Sequence, residues 1–158
     1  MMNTLTLDRT DIKILNELQK DANLTNVELA GRINLSPSPC LTRVKKLEQK
    51  GVIQQYTARL SADMLGLRLL AFIFIKSSEG PGNANVAKQL AKIPDVLELH
   101  HIAGDDCYLL KVRASDPQSL IRLMREKMGK IPGILSTKTT IVLETLKETN
   151  QLPVPRTL

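Results

Sequence analysis

The residues with the clearest chemical purpose lie between Asn34 and Ile53, in the run NLSPSPCLTRVKKLEQKGVI. Arg43, Lys45, Lys46 and Lys50 supply cations, and Ser36, Ser38 and Thr42 supply short hydroxyls. Guanidinium and ammonium groups suit phosphate oxygens, and short polar side chains near a helix start suit base edges in a major groove. These seven residues are the candidate DNA contacts. Taken alone, the run reads equally well as a surface helix with solvated lysines.

A helix must position these groups, and the sequence marks both of its ends. Ser36 is of a type that caps helices, because its hydroxyl can accept from free amides of the first turn. Pro37 suits the first helical position, and Gly51 supplies the left-handed residue that ends helices. Cys40, Val44 and Leu47 recur at i, i+4 and i+7, which makes them the core face.

Two helices are expected upstream. The first starts at Asp8, with Asp11 in its first turn; Ile14, Leu15 and Leu18 face inward, and it ends near Lys20. The second starts at Thr25, where Thr25 and Glu28 form a capping box and Val27, Leu29, Ala30 and Ile33 carry the apolar positions. Three short helices with a tight turn before the third make a helix-turn-helix unit. Val52 to Leu60 is β-prone and reads as a strand or short wing leading to the next domain. Residues 34–60 carry five cations against Glu48, a net of +4 out of +6 for the whole chain. Most of the excess charge therefore lies in the segment that the capped helix aims, which favours an anionic partner.

From Leu67 the pattern changes class. Strands are expected at 69–76, 96–102, 107–114 and 136–146, and helices at 83–93 and 116–130. The order is β-α-β-β-α-β, a ferredoxin-like unit. The fold class is α+β: a helix-turn-helix (winged-helix-like) domain over 1–60, then a ferredoxin-like domain over 61–158. Such a unit covers one sheet face with helices. The first strand, LLAFIFIK, is apolar on both faces, so the uncovered face predicts a partner, most economically a second copy of the chain.

Apolar residues make up 42% of the 158, enough for a core, and aromatic residues only 3%, so that core is aliphatic. No apolar run is long enough to span a bilayer, which leads to the expectation of a cytosolic, soluble protein. Cys40 and Cys107 form no metal-ligand spacing. His100 and His101 are neighbours on one strand and point to opposite faces, so they do not suit one metal. No cofactor is expected. An enzyme would need a nucleophile with a spaced base, and no such arrangement is present.

The chain resembles the Lrp/AsnC, or feast/famine, family of transcription regulators over nearly its full length. LDRTDIKIL at 7–15 is similar to the family's start, and RVKKLEQKGVI at 43–53 to the end of its helix-turn-helix. AGDDCYLLKV at 103–112 is similar to its effector-loop segment, and IPGILSTKTTIVLETLK at 131–147 to its last strand. The resemblance implies a homodimer that assembles further to an octamer, binds double-stranded DNA in the cytoplasm as a nucleoid-associated protein, and takes an amino-acid effector between subunits.

It also implies the effector site: Gly104, Asp105, Asp106 and Cys107, with Thr137 and Thr139 matching the family's T-x-T. Asp105 or Asp106 would hold the ammonium, and loop amides with threonine hydroxyls would serve the carboxylate. Leu99, Ile102 and Leu109 nearby would favour leucine or methionine. Plain readings remain beside this one: the aspartates fit a hairpin turn, and the threonines fit β-propensity. One departure stands out, since Cys107 occupies the place where the family loop usually has Asp. The alternative function is a stand-alone small-molecule-binding oligomeric module without DNA binding.

Overall fold

The computed structural model describes residues 6–80 and 82–154. It divides into two units, one holding the chain up to Arg59 together with the segment from Glu148, the other running from Leu60 to Lys147.

The first unit contains α1 (Arg9–Lys20), α2 (Asn26–Arg32) and α3 (Pro37–Gln49). The first two begin on capping boxes. Asp8 accepts from the amides of Thr10 and Asp11 at 2.8 Å, and Asp11 accepts in return from the Asp8 amide. Thr25 accepts from the Glu28 amide at 3.2 Å, while Glu28 accepts from the Thr25 amide at 2.8 Å. Helix α3 departs from expectation. Ser36 stands at the N-cap, but its side chain makes no cap hydrogen bond. Pro37 and Pro39 occupy the first and third helical positions, and neither has an N–H, so the third-position donor that a serine cap usually serves does not exist. The far end is regular: Gly51, at φ +71°, donates to the Glu48 carbonyl and Val52 to the Leu47 carbonyl, both at 2.9 Å. This is a Schellman motif, and it needs the left-handed residue.

Ile14, Leu15, Leu29, Ala30, Ile33, Cys40 and Leu47 form the core of this unit. Val27, expected among them, is 67% exposed. It lies about 110° around the helix from the face centred on Leu29, Ala30 and Ile33. The expected strand or wing is also absent: residues 54–60 form no strand. β-propensity becomes a strand only where another strand offers a ladder, and this unit, among the described residues, has none. Val52 and Ile53 pack on the helical core instead. The described residues from Glu148 on, expected in the second domain, group with this unit. The Gln19 amide group and the Leu152 backbone exchange two hydrogen bonds, of 3.0 and 2.6 Å, and Val154 packs on the helical core.

The second unit contains β1 (Leu69–Ser77), α4 (Asn85–Leu90), β2 (Val96–His101), β3 (Tyr108–Ala114), α5 (Pro117–Arg122) and β4 (Ile134–Ile141). The sheet is antiparallel with order β2-β3-β1-β4, the ferredoxin-like arrangement. Alternation sets its two faces. Ala71, Ile73 and Ile75 of β1 and Tyr108, Leu110, Val112 and Ala114 of β3 are buried in one core with Val86, Leu90, Leu120 and Leu123 of the helical layer. Phe72 and Phe74 lie on the other face and are half-buried.

The second helix was expected to run regularly to about Lys130. From Leu123 to Met128 it is a π-helix instead, with Gly129 donating to the Met124 carbonyl five residues back at 2.7 Å. Leu123 and Met128 are both buried. In an α-helix residues five apart lie about 140° apart, so the wider turn is what lets both reach the core.

Candidate functional site

The exposed side of α3 is the first candidate surface. Ser36, Ser38, Thr42, Lys45, Lys46 and Lys50 are all exposed. The Thr42 hydroxyl donates back to the Ser38 carbonyl at 3.1 Å, which fixes its rotamer but leaves its oxygen free to accept. Glu48, the acid on this helix, accepts from the Tyr56 hydroxyl at 2.9 Å. Burial and that carboxylate push the Tyr56 phenol up to about 12, so it remains a donor.

Arg43 differs from the three lysines in its partners. Its Nη1 lies 2.6 Å from Asp8 Oδ2 and 2.9 Å from Asp11 Oδ1, so its guanidinium faces the start of α1. The Asp8 carboxyl is held below its ordinary range, first by the Asp11 amide and then by Arg43, and Arg43 is raised by the same two carboxylates. Periodicity placed Arg43 on a flank with Lys46, and the two do line one hollow, but the acidic first turn of α1 captures the Arg43 guanidinium. The sequence reading also missed Asn26. Its Nδ2 donates to the Pro37 carbonyl at 2.8 Å and ties the start of α2 to the start of α3, while its Oδ1 is buried with no hydrogen-bond partner. Nothing in the local sequence marks this contact, because the partner is a backbone oxygen across a turn.

The second candidate is the loop between β2 and β3. The Ile102 amide donates to the Cys107 carbonyl at 2.9 Å and closes it, and the Cys107 amide donates to Ile75 at 2.8 Å and pins it to β1. Gly104 sits at φ +149° with open space around it, a conformation that a side chain would strain. Cys107 is half-buried, with its Sγ 3.5 Å from the Ser77 amide, which takes it out of the loop's exposed rim. Asp105 is exposed. Asp106 pairs with the Lys138 ammonium at 3.4 Å, and that ammonium also lies 4.7 Å from the centre of the Phe74 ring.

The register of β4 separates the expected effector residues. Lys138 lies opposite Phe74 on the uncovered face, whereas Thr137 and Thr139 lie opposite Ile75 and Ile73 on the helix-covered face. Thr139 donates to Met124 Sδ at 3.5 Å, which confirms its direction. A single chain thus presents Asp106 on one face and the two threonines on the other. The aliphatic set divides likewise: Leu109 lies opposite Phe74, and Leu99 pairs with Leu110 on the covered face. His100 pairs with Glu98 at 3.4 Å, and the His101 ring lies against Tyr108, tilted by 38° with ring centres 5.3 Å apart. The two imidazoles point to opposite faces, as the strand's alternation requires.

Two family descriptions match this chain. Winged helix-turn-helix DNA-binding covers residues 7–54, and the Lrp/AsnC ligand binding domain covers residues 70–152. The leucine-responsive regulatory protein of Escherichia coli is 43% identical over 152 residues, 94% of this chain and 92% of that protein. The chain belongs to the Lrp/AsnC family. A Neisseria meningitidis transcriptional regulator, solved as its complex with L-Met, superposes with a TM-score of 0.89 at 38% identity, covering 94% of this chain and 97% of that one. A feast or famine regulatory protein of Mycobacterium tuberculosis, complexed with L-methionine, gives 0.84 at 32% identity over 92% and 98%. Like other Lrp/AsnC proteins, this chain is a transcriptional regulator with a DNA-binding helix-turn-helix and a ligand-binding domain. No helix among the described residues is long and apolar enough to cross a membrane.

Proposed function

We propose that α3 reads a specific DNA site and that leucine or methionine, bound at the β2–β3 loop, regulates that binding. Ser36, Ser38 and Thr42 face base edges at the start of α3, and Lys45, Lys46 and Lys50 bind phosphates. The effector's ammonium is taken by Asp106 and its carboxylate by the loop amides of Gly104 and Asp105, while Cys107 holds the loop closed through Ile102 and Ile75. The observation that carries this reading is the Asp106–Lys138 pair: Asp106 already accepts an ammonium beside an aromatic face. Leu109 and Phe74 on the same sheet face offer apolar surface to the effector's side chain. The methionine complexes of the two relatives above support the ligand class.

Thr137 and Thr139 lie on the covered face, so they reach the effector bound by Asp106 only from another subunit. The uncovered face, with Phe72 and Phe74, is the proposed homodimer contact, and dimers assemble further to an octamer in the cytoplasm, on the nucleoid. Binding between subunits changes assembly and hence DNA affinity by reciprocal linkage, with a coupling of about 1–3 kcal/mol. Calorimetry across the twenty amino acids, on the wild type and on Asp106→Ala, tests the site. Leucine or methionine should bind the wild type and lose most of its affinity in the variant. No binding at millimolar concentration, or equal binding by both proteins, sinks the assignment.

A further inference from the structure

Helix α3 can read bases only if it is held at a fixed rotation and height. A turn of about 10° about its axis moves a side-chain tip ~6 Å from that axis by about 1 Å, enough to break a hydrogen bond to a base edge. Its N-terminus is held by the Asn26 bond to the Pro37 carbonyl. Its middle turn is held at Arg43, whose guanidinium meets Asp8 and Asp11 of α1 at 2.6 and 2.9 Å. Those two carboxylates are themselves fixed, because each also accepts from a backbone amide of the α1 capping box. The anchor is thus rigid on one side and reaches the DNA-reading helix on the other. It lies beside Ser38, Thr42 and Lys46, with which it lines one hollow between the starts of the two helices.

We propose that Asp8 and Asp11 are positioning residues for DNA recognition, acting through Arg43, and that Arg43 serves as a strut rather than a phosphate contact. The charge count makes this proposal sharp. Two carboxylates against one guanidinium leave a net negative charge next to a surface that must approach phosphates. By electrostatics alone, neutralising Asp8 and Asp11 should strengthen DNA binding. A positioning role predicts the opposite sign.

Full-length Arg43→Gln, the double variant Asp8→Asn with Asp11→Asn, and the triple variant are titrated by fluorescence anisotropy. The probes are a duplex selected from random DNA by the wild-type protein and a scrambled duplex of equal length, each at several salt concentrations. Asparagine retains the cap acceptors, so α1 keeps its start. Affinity for the selected duplex should fall roughly fivefold in both Arg43→Gln and the double variant, as befits a partly exposed network. The triple variant should be no worse than either, since the parts act as one unit. Affinity for the scrambled duplex should not fall in the double variant, where the lost carboxylates favour non-specific binding, and the salt slope should not drop in Arg43→Gln, so the ratio of selected to scrambled binding drops.

Three results overturn the proposal. The double variant binding the selected duplex as tightly as wild type, or more tightly, removes the positioning role. A salt slope reduced by about 0.9 per subunit in Arg43→Gln makes Arg43 a phosphate contact. Equal weakening on both duplexes leaves only a contribution to folding.

Discussion

Ser36→Ala and Thr25→Ala remove the same kind of group from the same kind of place, yet the structure separates their effects. Thr25 accepts from the Glu28 amide, and Glu28 closes the box on the Thr25 amide. Losing a working cap costs about 1 kcal/mol. Ser36 makes no cap bond, and at its third position Pro39 offers no amide, so Ser36→Ala should stay within about 0.5 kcal/mol, the range of an ordinary surface change. The assay is amide hydrogen exchange of peptides from α1 to α3, which reads the opening of this unit without assuming that the whole chain unfolds at once. Thr25→Ala should speed exchange about fivefold, and Ser36→Ala less than about twofold. In a Pro39→Ala background the third helical residue regains an amide, and Ser36→Ala should then cost about 1 kcal/mol. Equal acceleration by Ser36→Ala and Thr25→Ala in the natural background would refute the reasoning. Because Ser36→Ala leaves stability alone, any loss of affinity for the selected duplex in that variant belongs to the hydroxyl's contact with DNA.

Other expectations follow from the same geometry. The carboxyls of Asp8 and Glu28 are depressed below their ordinary values of 3.8 and 4.5 by their capping amides. The stability they contribute is present above those values and lost as pH falls through the depressed ones, so the melting temperature should be flat from about pH 7 to 5 and fall below about pH 4. A melting temperature that rises on acidification through that window contradicts the capping account. Ile73 is fully buried at the centre of the sheet, and Ile73→Ala should cost about 2–5 kcal/mol in urea denaturation; a loss under about 1 kcal/mol would mean that the core is not packed as described. Phe74→Glu places a charge on the uncovered face and should convert the proposed dimer to a monomer in sedimentation equilibrium. Unchanged assembly would place the dimer contact elsewhere.

The features legible in the sequence are those decided within a few residues. The capping boxes at Asp8 and Thr25 join residues three apart, and the left-handed close at Gly51 needs only the preceding turn. The period of two in β1 separated Ile73 from Phe74, and the order of elements gave the ferredoxin-like unit. The cap at Ser36 misled because Ser, Pro and spacing all fit, while the decisive fact was the amide missing at Pro39.

What the tertiary structure alone decided involves partners far away in the chain. Arg43 meets acids 32 and 35 residues earlier, and Gln19 meets a tail 133 residues later. Asp106 meets Lys138 rather than Thr137 or Thr139 because β4 pairs with β1 in one register, and a shift by one residue would exchange their faces. Hydrophobic pattern names a strand's two faces. Only the hydrogen-bonded register against a distant strand selects which polar residues share the face with a loop from the other end of the sheet.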